Sequence, residues 1–313
     1  MACVGGAKLR LVLNTWTICN LPSFSTFPGD LDETDTVAFI RDAGYEGLQM
    51  EADDRLIAAG QSAGLHMSAT GRVIAAEAAE TLCKSHQELG FALTTVHVGT
   101  GFESRADGLR LMEAVLEASA KTGYPLYVET HRATLTQDPR RTLDFLDRLP
   151  ELLINADLSH WYAGCEMPYG DFDAKLRALE PVFDRTRYIH GRVADSSCIQ
   201  VPVGEPGTTK YRHFNEMWRR AFKGFLKHST ADETICYAPE LLPNWAVLNG
   251  RHVEINYARM KAGEGGDIEE TDRWIEGLAL CDMARQAFDE ASASLSCAAE
   301  SNNNHHFLAG VGR

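Results

Sequence analysis

No two of the eight cysteines in this 313-residue chain, at 3, 19, 83, 165, 198, 236, 281 and 297, form a CxxC pair. That absence argues against a zinc ribbon and for free thiols in a reducing compartment. Runs of about 18 apolar residues are also missing, so no segment is expected to span a bilayer. The amino terminus, MACVGGAKLRLVLN, has neither the basic start nor the long apolar centre and small-residue cleavage site of a secretory signal. Together these absences predict a cytoplasmic protein. Positive charge is scarce too: 30 Lys and Arg stand against 44 Asp and Glu, a formal charge of -14. Such a field repels phosphodiester backbones and anionic lipid surfaces, so neither nucleic acid nor a membrane is an expected partner. What remains is a globular composition, 44% hydrophobic and 24% charged, in a length that a single α/β barrel commonly occupies.

The pattern along the chain is alternation. Runs of strand composition fall at 9–16, 45–50, 66–73, 93–99, 124–130, 151–158, 186–193 and 235–241, and helical patterns at 32–43, 53–63, 74–90, 104–122, 138–149, 170–184, 211–227 and 271–295. Eight of each predicts an α/β fold, a single (β/α)8 TIM barrel over 1–296 that includes a C-terminal helix. The polar stretch at 297–313 reads as a poorly ordered tail. One helix start is explicit in the sequence: Asp138 can cap, Pro139 suits the first helical position, and Leu143, Leu146 and Leu149 follow at helical spacing. The longest connections, 194–210 and 242–270, are rich in Gly and Pro. They fall after strands seven and eight, on the face where barrels place substrate loops.

In a closed barrel the carboxyl ends of the strands converge on one mouth, so the ionisable residues there decide the chemistry. Strand five ends in Glu129 with His131, strand six in Asp157 with His160, strand seven in His190 with Arg192, and strand eight in Glu240. Three carboxylates at one rim repel one another unless a cation sits among them. Three carboxylates and one imidazole suit one divalent metal ion, Mn2+ first, with Mg2+, Co2+, Zn2+ and Fe2+ as alternatives.

These residues carry a resemblance. YVETH, ADLSH, YIHGR and APELL resemble the strand-end motifs of the xylose isomerase-like TIM barrel superfamily, also called the sugar phosphate isomerase/epimerase or endonuclease IV-like family. The likeness covers roughly residues 9–260, and its motifs are specific as a set rather than singly. It implies that Glu129, Asp157, His190 and Glu240 hold the metal. The run ETHRATLT is similar to the ETHxxTLT of one branch of 3-dehydroshikimate dehydratases, which are lyases. The DNA-repair branch is a poor match despite His97: strand three offers Thr70, Gly71 and Arg72 instead of the expected His, and no Asp-x-His follows His190. Members of the family are often dimers or tetramers, so a homo-oligomer is compatible with the sequence, although no surface pattern decides it.

A metal beside two Glu suits proton transfer next to a carbonyl through a metal-stabilised enediolate. If Glu129 and Glu240 face opposite sides of a substrate, one abstracts the proton and the other returns it, giving an isomerase or epimerase of a sugar or polyhydroxy ketone. With a leaving group β to the carbonyl, and His160 or His131 as acid, the same site is a lyase. That would be a dehydratase of 3-dehydroshikimate or inosose type, or an enzyme eliminating a glycosidic group from an oxidised sugar. A third reading is a catalytically inert barrel that binds a ligand. Arg72, Arg132 and Arg192 are candidates for orienting a substrate carboxylate or phosphate, His97 for polarising an oxygen, and Trp16 and Trp161 for an apolar wall.

Overall fold

The computed structural model describes the backbone of residues 6–248 and 250–309 and their side chains as far as 297. From the amino end come β1 (Lys8–Asn14), α1 (Glu33–Asp42), β2 (Gly47–Met50), α2 (Ile57–Ser62), β3 (His66–Val73) and α3 (Ala78–Glu88). Next are β4 (Leu93–Val98), α4 (Arg105–Thr122), β5 (Leu126–Glu129), α5 (Pro139–Arg148), β6 (Ile154–Ala156) and α6 (Ser159–Gly164). Then follow α7 (Phe172–Ala178), α8 (Glu180–Arg185), β7 (Thr186–Gly191), α9 (Thr209–His228) and β8 (Thr234–Pro239). The chain continues with β9 (Trp245–Leu248), β10 (Arg251–Glu254), β11 (Met260–Gly263), β12 (Gly266–Glu269) and α10 (Arg273–Ala309). The first eight strands, all parallel, close into a barrel in sequence order, with β8 pairing back onto β1. Of the tail expected at 297–313, the backbone as far as Ala309 belongs to α10, while the side chains from 298 and the backbone from 310 lie outside the described residues. No helix among the described residues is long and apolar enough to cross a membrane.

Strand periodicity builds the interior. Alternate residues of a strand face the barrel axis, and Val12, Leu93, Tyr188, Cys236 and Ala238 form an apolar plug inside it. Two residues further along their strands stand Asn14, Thr95, His190 and Glu240, and Gln49 of β2 joins the same polar layer through bonds to Asn14 and Thr95. Apolar below and polar above is therefore one period-2 pattern read along β1, β4, β7 and β8. Outside the barrel the helices supply the larger core. Phe214, Met217, Trp218, Ala221, Phe222 and Phe225 recur every three or four residues on α9 and are all buried. Each of the Phe and Met side chains contributes roughly 1.5–3 kcal/mol.

Helix starts follow their caps. Asp138 accepts from the Arg141 N–H at 2.8 Å with Pro139 opening α5, as the sequence predicts. The single helix expected at 170–184 is instead two, α7 and α8, divided at Leu179, with Pro181 in the first turn of the second. Proline lacks the N–H that a continuous helix would need. The connection after β8 is not irregular either: β9 pairs β10 and β11 pairs β12, both antiparallel. Arg273 fastens this region to the first βα connection. Its buried guanidinium donates to the carbonyls of Trp16, Thr17, Cys19 and Asn20 and pairs with Glu269 at 2.8 Å.

His66 opens β3, and its Nε2 is buried with no hydrogen-bond partner. Burial, aided by the Arg10 charge, depresses its pKa from 6.5 to about 4. The unfolded chain takes up a proton near pH 6.5 that the folded protein refuses until about pH 4. The His66 contribution is therefore intact above 6.5 and lost as pH falls toward 4. Between pH 7 and pH 4, a His66→Gln variant should lose about 3 kcal/mol less stability than the parent in urea unfolding. Equal losses would show that His66 does not titrate in this way.

Candidate active site and metal centre

Glu129, Asp157, His190 and Glu240, from the carboxyl ends of β5, β6, β7 and β8, each offer one ligand atom, and these atoms all lie within 4.8 Å of one another. His190 Nδ1 stands 3.3 Å from Glu129 Oε2 and 3.4 Å from Glu240 Oε2. The first three side chains are buried and that of Glu240 is 12% exposed. Gly191 lets β7 deliver His190 and Arg192 side by side. A Cβ at that position would lie 2.1 Å from the Tyr237 hydroxyl oxygen.

A polar layer beneath the cluster aims it. The Gln49 Oε1 accepts from Asn14 at 2.9 Å and lies 2.8 Å from His190 Nε2. Since that oxygen can only accept, His190 Nε2 carries a hydrogen, and Nδ1 is the nitrogen that faces the carboxylates. Asn155 donates to Glu129 Oε2 at 3.2 Å and Asn14 to Glu240 Oε1 at 3.3 Å. The sequence reading missed Asn14, Gln49 and Asn155, although each is a polar interruption of an apolar strand.

Arg192 is inside the cluster rather than at its rim. It is buried, with Nη2 2.9 Å from Asp157 Oδ2 and also paired with Glu240 Oε2. Burial opposes its charge, but Asp157 and Glu240 outweigh burial and raise its pKa. Burial likewise works to raise Glu129 and Asp157. The His190 and His97 charges hold Glu129 well below the usual carboxylate range, and Arg192 and His160 do the same for Asp157. At Glu240 burial wins over His190 and Arg192, and the pKa rises. His190 is pushed up to about 9 because Glu240 and Glu129 overcome burial.

These residues fit a divalent cation on two counts. With His190 neutral, as a metal ligand must be, three carboxylates against one guanidinium leave two negative charges, and the buried His190 Nδ1, which has no hydrogen-bond partner, faces them.

The other sequence candidates divide. His97, His131 and His160 form a column of rings with centroids 4.1 and 3.9 Å apart along one side of the cluster. His160 is buried with Nε2 3.4 Å from Asp157 Oδ2, and burial depresses its pKa. Burial and the His160 charge lower His131 to about 2. Trp16, Arg72, His97, His131, Leu242 and Tyr257 are among the residues lining a cleft of about 640 Å3 above Glu129 and Glu240. Arg132 is exposed and lies over the Tyr257 ring at 4.7 Å, while Arg192 lies over the same ring at 4.8 Å. Trp161 is elsewhere: it is wholly buried and donates to the Thr136 carbonyl at 2.8 Å. A core side chain anchored to the backbone cannot also wall a substrate.

Fold and cluster together define the class as a (β/α)8 barrel, similar in fold to xylose isomerase-like barrels, with a possible metal site at its carboxyl face. In particular, the chain superposes on a sugar phosphate isomerase/epimerase from Parabacteroides distasonis with TM-score 0.53 and 13% identity, over 90% of this chain and 96% of that one. A xylose isomerase-like TIM barrel protein from Mycobacterium smegmatis, in complex with magnesium, gives TM-score 0.52 and 11% identity over 94% and 99%. At such identities the likeness is one of fold alone. No family profile matches the sequence, and no curated protein matches it.

Proposed function

We propose that the protein is a divalent-metal-dependent isomerase or epimerase that moves a proton on the carbon beside the carbonyl of a sugar or polyhydroxy ketone. The observation that carries this reading is the convergence of Glu129, Asp157, His190 and Glu240 within 4.8 Å at the floor of an open cleft. A divalent cation held by these four, Mn2+ by first preference, supplies a Lewis acid for substrate oxygens. The chain's own groups do the rest. Glu129 and Glu240 reach the cleft from β5 and β8, both within 3.4 Å of His190 Nδ1. One takes the proton and the other returns it. Gln49, Asn14 and Asn155 hold these groups in register. Trp16, Leu242 and Tyr257 shield the reacting carbon, and Arg72 at the cleft wall orients a polar substrate end.

The test is incubation with Mn2+ and a panel of ketoses in deuterated water. Deuterium in a product of unchanged formula is the expected result. Loss of water or an aglycone would replace this reading with the lyase one. Neither exchange nor product with Mn2+, Mg2+, Co2+ or Zn2+ would leave the inert ligand-binding barrel.

A further inference from the structure

Beyond the strand ends the cleft acquires an apolar wall. Trp16, Ala52, Leu242, Leu248, Ile255 and Tyr257 line it above the floor that holds Glu129 and Glu240. None of the six lies on a barrel strand: they come from the connections after β1, β2 and β8. Leu248 ends β9 and Ile255 follows β10. Leu248 pairs with Arg251 at the tip of that hairpin, and Trp245 with Glu254 at its base. The apolar lining therefore runs along roughly 10 Å of hairpin, a span longer than one sugar ring. Leu248 keeps 39% of its surface in water. A contiguous apolar surface left open beside polar groups is the mark of a ligand groove.

This wall is fixed by polar bonds behind it. The N–H groups of Ile255 and Asn256 donate to the Asn244 carbonyl at 2.8 and 2.9 Å, and the Asn20 amide donates to the Trp245 carbonyl at 3.1 Å. Gln200 brackets Leu242, donating to its carbonyl and accepting from its N–H, both at 2.9 Å. A surface already ordered in this way loses little entropy when a ligand covers it. Charge narrows the kind of ligand. Glu51 and Glu254 balance Arg72 and Arg132, so this part of the cleft has no net charge with which to draw a phosphate or carboxylate.

We propose that the cleft takes a keto sugar carrying an apolar or aromatic substituent, with the sugar at the metal cluster and the substituent against Ala52, Leu248 and Ile255. The inference rests on the isomerase reading only for the sugar at the floor; the apolar subsite stands on the hairpin. The substituent is joined through an ether or glycosidic oxygen away from the carbonyl, because proton transfer beside that carbonyl needs it free to be polarised.

Titration calorimetry of the full chain loaded with Mn2+ tests this with two matched pairs: D-fructose and 6-O-benzyl-D-fructose, and the methyl and benzyl 3-keto-β-D-glucopyranosides. The benzyl member of at least one pair should bind about tenfold tighter or more, the worth of added apolar contact in a fitted pocket. Leu248→Ser with Ile255→Ser should remove that preference, and Leu248→Ser alone should remove part of it. Unchanged Mn2+ content in both variants reports an intact barrel. Equal affinities within both pairs, a benzyl preference that survives in the double variant, or no binding by any of the four would overturn the subsite. Deuterium exchange on the unsubstituted ketose without a benzyl preference would overturn the subsite and leave the isomerase reading. A benzyl preference without exchange on any of the four would do the reverse.

Discussion

Glu129→Gln should lower the rate of proton transfer by about 10²–10⁴-fold even at saturating Mn2+, because it removes a general base as well as a metal ligand. The substitution is nearly isosteric and keeps an oxygen or amide beside Asn155 and His190, so the barrel should still fold. Asp157→Asn provides the contrast. Asp157 is engaged by Arg192 at 2.9 Å and by the Ser159 backbone N–H at 3.0 Å, and the proposed chemistry asks only that it ligate. Its loss should raise the Mn2+ concentration needed for activity while leaving much of the rate at saturation. Equilibrium dialysis gives the affinity, and initial rates across a Mn2+ series separate the two effects. Full recovery of Glu129→Gln by excess Mn2+ would sink the base assignment.

The barrel was legible because its strands are short apolar runs with sharp ends. The β3 expectation, 66–73, coincides with the structure, and the others differ by a few residues at their termini. The four cluster residues were legible for the same reason: a carboxylate or imidazole where an apolar run stops is conspicuous. Asn14 and Gln49 were not, because an amide carries no charge to draw notice, and its value lies in a partner on another strand. Trp161 was misplaced by a similar limit. It follows His160 directly, but on the short helix α6 consecutive side chains point to different sides, so His160 turns to Asp157 and Trp161 to the Thr136 carbonyl. The hairpins after β8 did leave a signal: Asn249-Gly250 between Leu248 and Arg251 is the dipeptide that favours a two-residue turn. Tyr257, whose ring both Arg132 and Arg192 approach, left none, since only the folded loop brings the three together.

Arg192→Met should cost about 3–5 kcal/mol in metal-free protein and markedly less in saturating Mn2+. The guanidinium is buried against Asp157 and Glu240, and removing it leaves both carboxylates, with Glu129, sharing His190 as their nearest counter-charge. The long Met side chain fills much of the space, so lost charge rather than lost volume dominates. A divalent cation restores positive charge at the same place. Metal binding and folding are then coupled more strongly in the variant than in the parent. By reciprocity the variant, once folded, should also bind Mn2+ more tightly, because one competing positive charge is gone. Urea unfolding with chelator and with Mn2+ measures both halves of the argument. An equal loss of stability in the two conditions would mean that Arg192 acts by packing alone. A loss confined to the metal-free protein would place it as the internal cation that holds the cluster together until the metal arrives.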